Sequence, residues 1–351
     1  MSIRTLHLAL MVVLGIAATA RMQADDVDDY INARLGEFHL PALSLAVVKD
    51  GRVVKAAGYG VMDRSRQTPA TAETLFKIGS VSKQFIASAV MLLAQDGKLS
   101  VDAPLATYIE DIPSAWRAIT VRHLLVHTAG LVRESPGFDP MKAMPDIEVI
   151  RAAYSVPLLS VPGSKYAYSN AGYYVLAEII TRVSGRPWTR FVDERIFAPV
   201  RMAVTVSTTI SPIPPARAVG YSGKDNKAVA DEWLALRPSG AFISNVIDLA
   251  KWDAALDGTT ILSASSRGQM WAPARLNDGT SVPYGFGWHV ESFLNRPVVW
   301  HGGGIPGFSS RYTRFVDDHL SIILLTNGDD VDLGGITAHL SQTYLRAAVA
   351  R

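Results

Sequence analysis

Strand-forming residues gather at the two ends of this 351-residue chain and a helical middle parts them, a distribution that admits few folds. Near the start, Leu43 to Val48 and Val53 to Gly58 are apolar, β-branched runs separated by Asp50-Gly51, a hairpin signature because that pair tolerates the positive φ of a tight turn. Near the end, Tyr284 to Val290, Pro297 to Trp300, Phe308 to Val316 and Leu320 to Thr326 are short and β-rich, with Asn-Arg-Pro, glycine-rich and Asp-Asp turns between them. Between the two groups, residues 82–95 read as a buried helix stopped by Gly97. The pattern then stays helical to about residue 200, with loops at Pro113, Gly130, Pro136, Pro157, Pro162 and Gly163. Stretches from Val27 to Leu35 and from Ile336 to Ala350 read as terminal helices. The expectation is an α/β (α+β) fold: one antiparallel sheet assembled from both chain ends, flanked by helices, with an all-α region inserted at about residues 84–230. Residues 211–240, rich in Pro, Gly, Lys and Asp, read as a surface excursion with little regular structure.

The first 24 residues stand apart. Arg4, an apolar run from Leu8 to Ala18 and small residues ahead of a cut after Ala20 or Ala24 form a secretory signal peptide pattern, with an apolar part too short for a comfortable span. The expected mature chain is residues 25–351, exported to periplasm or medium, with no integral membrane segment. Removing Arg4 and Arg21 with the leader leaves 32 of 34 basic groups, balanced against 32 acidic ones. There is no Lys/Arg-rich run either, so nothing in the chain calls for a nucleic-acid partner. The sequence has no cysteine, and the exported protein must therefore rest on its core alone, which a chain of this length can build.

Three motifs carry chemistry. Ser80-Val-Ser-Lys83 heads the apolar helix and sets a hydroxyl and an amine on one helical face. In a buried pocket at a helix start, desolvation and the macrodipole both disfavour the ammonium form, so Lys83 can take the proton of Ser80 as a self-contained base for a nucleophile. Alone the tetrad is weak, since a chain of this size holds roughly one such match by chance. Tyr168-Ser169-Asn170, ahead of a second apolar helix, offers a phenol and an amide to one pocket. A lysine cation near Tyr168 would lower its pKa and make it a proton carrier. The same residues also read as a plain helix cap with packed tyrosines. Trp300-His301-Gly302-Gly303-Gly304-Ile305-Pro306-Gly307 ends a strand with glycines that let backbone N–H groups approach an oxyanion, or that simply turn the chain. It fits Gly-x-Gly-x-x-Gly and the His-Gly-Gly-Gly of lipases, yet no helix follows it and the chain has no Gly-x-Ser-x-Gly elbow. His123 and His127 lie four apart without the glutamate of a zinc motif; no metal or other cofactor is expected, and His127 reads as a structural, hydrogen-bonded histidine.

Taken in this order, and with the flanks Leu124-Leu-Val-His-Thr-Ala-Gly-Leu131, Tyr284-Gly-Phe-Gly-Trp288 and Gly304-Ile-Pro-Gly-Phe308, the motifs resemble the active-site elements of the penicillin-recognising serine hydrolases. The resemblance runs over about residues 26–346 and is nearest the branch of class C β-lactamases, family VIII esterases and D-specific peptidases. It implies a β-lactamase/transpeptidase-like fold and an acyl-enzyme on Ser80. Lys83 and Tyr168 would share the proton traffic, and Asn170 would orient Lys83 and substrate. The backbone N–H groups of Ser80 and Gly304 would hold the oxyanion, with His301 and Gly303 of the same loop among the substrate and oxyanion residues.

Two departures bear on the substrate. The second motif is Tyr-x-Asn rather than Ser-Asp-Asn, so no separate glutamate base for deacylation is implied. His301 stands where the family's lysine helps hold the substrate carboxylate, and an imidazole is a weaker anion anchor, although Arg311 or Arg314 of the next strand could supply a cation. The expected function is therefore an esterase or D-amino-acid peptidase or amidase acting on a small-molecule ester, amide or peptide. A β-lactamase or D,D-carboxypeptidase is the alternative among enzymes, and a non-hydrolysing ligand-binding homologue the alternative outside them.

Overall fold

Asp50 and Gly51 sit at φ of 50° and 70° and close the first hairpin between Lys49 and Arg52, the turn that the Asp-Gly pair predicts. The structure, a computed structural model, describes residues 26–349 except 140, 141, 143, 208–216, 224, 230–236, 241 and 330. The expected signal peptide lies outside the described residues. In chain order the strands are β1 Ala42–Lys49, β2 Arg52–Asp63, β3 Thr68–Pro69, β4 Phe76–Lys77, β5 Val206–Ser207, β6 Tyr221–Ser222, β7 Lys227–Ala228, β8 Phe242–Ser244, β9 Ala274–Arg275, β10 Ser281–Val282, β11 His289–Phe293, β12 Arg296–Ile305, β13 Phe308–Phe315 and β14 Leu320–Thr326. The helices are α1 26–37, α2 Lys83–Gln95, α3 Val121–Leu125, α4 Asp146–Ala152, α5 Asn170–Ser184, α6 Trp188–Val192, α7 Val246–Asp257, α8 Ala264–Met270 and α9 Leu333–Val349.

One antiparallel sheet of seven strands, ordered β11-β12-β13-β14-β1-β2-β3, joins the two ends of the chain. Leu45 of β1 pairs with Ala57 of β2 on one side and with Leu324 of β14 on the other. Both faces of this centre are covered, which is why β1 and β14 are apolar without alternation. Leu43, Leu45, Val47, Ile322 and Leu324 pack with Val27 and Ile31 of α1 and with Ile336 and Leu340 of α9. Ala46, Val48, Ile323 and Leu325 belong to the opposite cluster, with Phe85 of α2 and Trp252 of α7. Each fully buried Leu or Ile there contributes about 1.5–3 kcal/mol. α2 is buried from Lys83 to Leu93 and so is apolar almost all round. Gly97, at φ 70°, lies just past its end.

The all-α middle is less regular than its pattern predicts. Residues 97–120 hold only short 3-10 turns, at Leu105–Thr107 and Ser114–Trp116, because Pro104 and Pro113 interrupt any longer helix. Tyr284–Trp288 is not strand: β11 starts at His289, and Gly285 and Gly287 fold the preceding segment inward. A Cβ on Gly285 would lie 2.0 Å from the Met270 carbonyl oxygen and one on Gly287 2.8 Å from that of Lys83. Within 211–240, Tyr221–Ser222 and Lys227–Ala228 form a small hairpin, and Ser239 is buried rather than on the surface. Among the described residues, no helix is long and apolar enough to cross a membrane.

Candidate active site

Ser80 lies in a single 3-10 turn, Gly79–Ser82, that feeds into α2. Three contacts hold this turn and the residue before it between β8 and β13. The Ile78 N–H donates to the Phe242 carbonyl, Ser310 Oγ donates to the Ile78 carbonyl at 2.7 Å, and Ser82 Oγ accepts from the Phe242 N–H. Glycine is required on the facing strand, since a Cβ on Gly303 would lie 2.1 Å from the Ile78 oxygen. Gly79, at φ 51°, has its Cβ direction 3.1 Å from the Gly304 nitrogen, which brings the Ser80 turn against the backbone of Gly303 and Gly304. β11 pairs with β12 only as far as Trp300, so among the described residues the outer edge of 301–305 has no strand neighbour, and it receives this turn.

Lys83 is fully buried and its Nζ has three partners: Ser80 Oγ at 3.0 Å, Asn170 Oδ1 at 2.8 Å and the Ser239 carbonyl at 2.8 Å. Burial first, and then the Arg237 charge, hold its pKa well below the ordinary lysine value, with Glu134 opposing. The neutral amine has two N–H groups and one lone pair. Two of its partners can only accept, so the lone pair is left facing the Ser80 hydroxyl. The Asn170 amide is oriented by its other end, where Nδ2 donates to Glu134 Oε1 at 2.6 Å. Glu134 in turn pairs with Arg237.

Tyr168 departs from its sequence expectation. Burial raises its pKa and outweighs its hydrogen bond to Ser80, so the phenol stays protonated instead of being drawn toward phenolate by a lysine cation. The lowered Lys83 pKa also disfavours the cation that the expectation required. Lys83 Nζ lies 4.8 Å from the centre of the Tyr168 ring, and the Arg133 guanidinium carbon 5.2 Å from it. The helix-cap reading of the motif also holds: Ser169 Oγ accepts from the Gly172 N–H and starts α5. The loop before it rests on His127, whose Nδ1 accepts from the Ser169 N–H at 3.1 Å, whose carbonyl accepts from Ala167, and whose ring centre lies 4.2 Å from that of Tyr168. Burial keeps His127 neutral.

His301 is 2% exposed. Its Nδ1 lies 2.6 Å from the Gly302 carbonyl and must donate to it, so Nε2 of the neutral ring accepts from the Tyr284 hydroxyl at 2.9 Å. Burial holds its pKa well below the usual histidine range. No ring nitrogen is left for a carboxylate. The two proposed substitute cations have other partners. Arg314 is locked on Asp253 and Asp257 of α7, and Arg311 lies over Trp300, in the cavity that also has Thr337, Ala338 and Ser341 of α9 in its wall. Sequence reasoning missed Arg133, Glu134, Arg237 and Ser239, which reach the site from segments with no periodic pattern.

The Beta-lactamase family model matches residues 27–341. Penicillin-binding protein 4* of Bacillus subtilis is 28% identical over 84% of this chain and 70% of its own length. A D-aminopeptidase of Cereibacter sphaeroides is 26% identical over 93% of this chain and 63% of its own. The crystal structure of D-amino acid amidase from Ochrobactrum anthropi superposes with a TM-score of 0.78 at 26% identity, covering 93% of this chain and 99% of the amidase. Matched over nearly its whole length and folded around the same kind of sheet, this chain is a serine hydrolase that belongs to the Beta-lactamase family.

Proposed function

We propose that the protein is an exported hydrolase that works through an acyl-enzyme on Ser80 and acts on short acyl esters or D-amino-acid amides and peptides. The observation that carries the mechanism is the Lys83 amine, whose two N–H groups are taken by Asn170 and Ser239 and whose lone pair faces Ser80. Ser80 Oγ attacks the carbonyl carbon as its proton passes to Lys83 Nζ. The oxyanion is held by the backbone N–H groups of Ser80 and Gly304, each such donor contributing about 3–4 kcal/mol in the transition state. Tyr168, a protonated phenol, gives its proton to the leaving oxygen or nitrogen as that bond breaks, and is reprotonated from the Lys83 ammonium. Water then attacks the acyl-enzyme by the same relay in reverse, releasing the acid and restoring Ser80.

The names of the D-aminopeptidase and D-amino acid amidase relatives support the amide side of this reading. The leader pattern of residues 1–24 supports export. The test incubates purified protein with a reactive phosphonate, a chromogenic short-chain ester, a D-alanyl amide and a chromogenic cephalosporin. Adduct mass on Ser80 is expected, with ester or D-amide turnover exceeding cephalosporin turnover and abolished by Ser80→Ala. Hydrolysis that survives that substitution would sink the mechanism. N-terminal sequencing of the secreted form, expected to begin after Ala20 or Ala24, tests export.

A further inference from the structure

The cations around the nucleophile have different fates. Lys83 is enclosed and its pKa is held well below the ordinary lysine value, and Arg237 is paired with Glu134. His301 has spent both nitrogens, and Arg311 and Arg314 serve other parts of the fold. Arg133 differs from all of them. It is exposed, among the described residues it forms no ion pair, and its guanidinium lies over the ring of Tyr168. The neighbouring carboxylate, Glu134, already bonds Arg237 and Asn170 through one oxygen. Among the described residues, Arg133, Glu134 and Arg237 carry two positive charges against one negative one beside Lys83 and Tyr168. The geometry also bounds the reach of Arg133, because Lys83 Nζ and the Arg133 guanidinium carbon both lie against one ring, and Nζ is 3.0 Å from Ser80 Oγ. The cation is thus at most about 13 Å from the nucleophile.

We infer that Arg133 forms an anion subsite that selects acyl donors carrying a carboxylate a few bonds beyond the scissile carbonyl. A guanidinium presents a planar fork that a carboxylate can match with two hydrogen bonds, and the aromatic face beneath it limits its motion. The loop carrying Arg133 is fixed from below, since its carbonyl accepts from the Asn170 and Ala171 N–H groups at the start of α5. The inference rests on the Ser80 acyl-enzyme reading and assigns that site a substrate class.

The test compares p-nitrophenyl esters of monocarboxylic acids with the mono-esters of dicarboxylic acids of equal length, from glutaric to suberic. The measured quantity is the ratio of kcat/KM for the anionic over the neutral ester. Arg133→Gln is expected to lower this ratio about tenfold at the best-fitting length, Arg133→Glu to lower it further and Arg133→Lys to restore most of it. Raising the salt concentration should narrow the wild-type ratio, because an exposed pair is screened. A ratio that stays the same in all three variants overturns the subsite. Ser80→Ala run beside them separates the two readings: an inactive Ser80→Ala with an Arg133→Gln ratio unchanged from wild type removes the anion subsite and leaves the nucleophile standing.

Discussion

At the scale of single residues, the proposed mechanism depends on keeping one lysine uncharged. Burial holds the Lys83 pKa below its unfolded value, so between that lowered value and about 10.5 folding releases a proton, and stability rises with pH by about 1.4 kcal/mol per unit. Lys83→Met lacks this slope. Denaturant titrations from pH 7.5 to 9.5 should therefore show wild-type stability gaining on the variant as pH rises, and parallel curves would mean that Lys83 keeps its proton in the fold. The same depressed pKa governs chemistry: acylation of Ser80 should climb with pH and level off well below the ordinary lysine range, as read by stopped-flow labelling. Ser80, Lys83, Tyr168 and Asn170 were legible in the sequence because each motif is local, a hydroxyl and an amine one helical turn apart or a phenol and an amide at a helix start. Ser239, Glu134 and Arg133 were not, since only tertiary contact brings their oxygen or charge to Lys83 and Tyr168. The charge state of Tyr168 was misread for the same reason: burial, which no motif encodes, outweighs any neighbouring cation.

At the scale of elements, the site is the seam between a 3-10 turn and a strand edge, and two adjacent glycines experience it differently. Gly303→Ala would drive a methyl group into the Ile78 carbonyl and Ser310 Oγ, and should cost about 1–3 kcal/mol of stability as the turn and β12 separate. Gly304→Ala projects into open space and should leave the denaturation midpoint nearly in place. Equal midpoints for the two variants would show that the turn does not press on β12. The strands were readable because β-rich apolar runs and the Asp50-Gly51 and Asp317-Asp318 turns fix their limits, and β14 falls on the predicted residues. The Tyr284–Trp288 segment was misjudged because its glycines serve close approach to α2 and the end of α8 rather than a sheet, a need visible only in the packed structure.

At the scale of the whole molecule, α1 and α9 cover one face of the sheet and the helical middle with α7 covers the other. Ending the chain at residue 330 removes α9 and uncovers Leu320, Ile322 and Leu324, each 0% exposed in the full chain. The truncated protein should be insoluble or lose its cooperative unfolding transition; a soluble product with a sharp transition would mean that α1 alone closes that face. The pairing of β1 with β14 has a further consequence for how this chain comes into being. A ribosome makes the first strand some 280 residues before its central partner, and until then β1 has an open edge on that side. The sheet cannot close while synthesis proceeds. Folding is deferred until nearly the whole polypeptide is free, which makes it slow, dependent on long-range contact and exposed to aggregation in the interval.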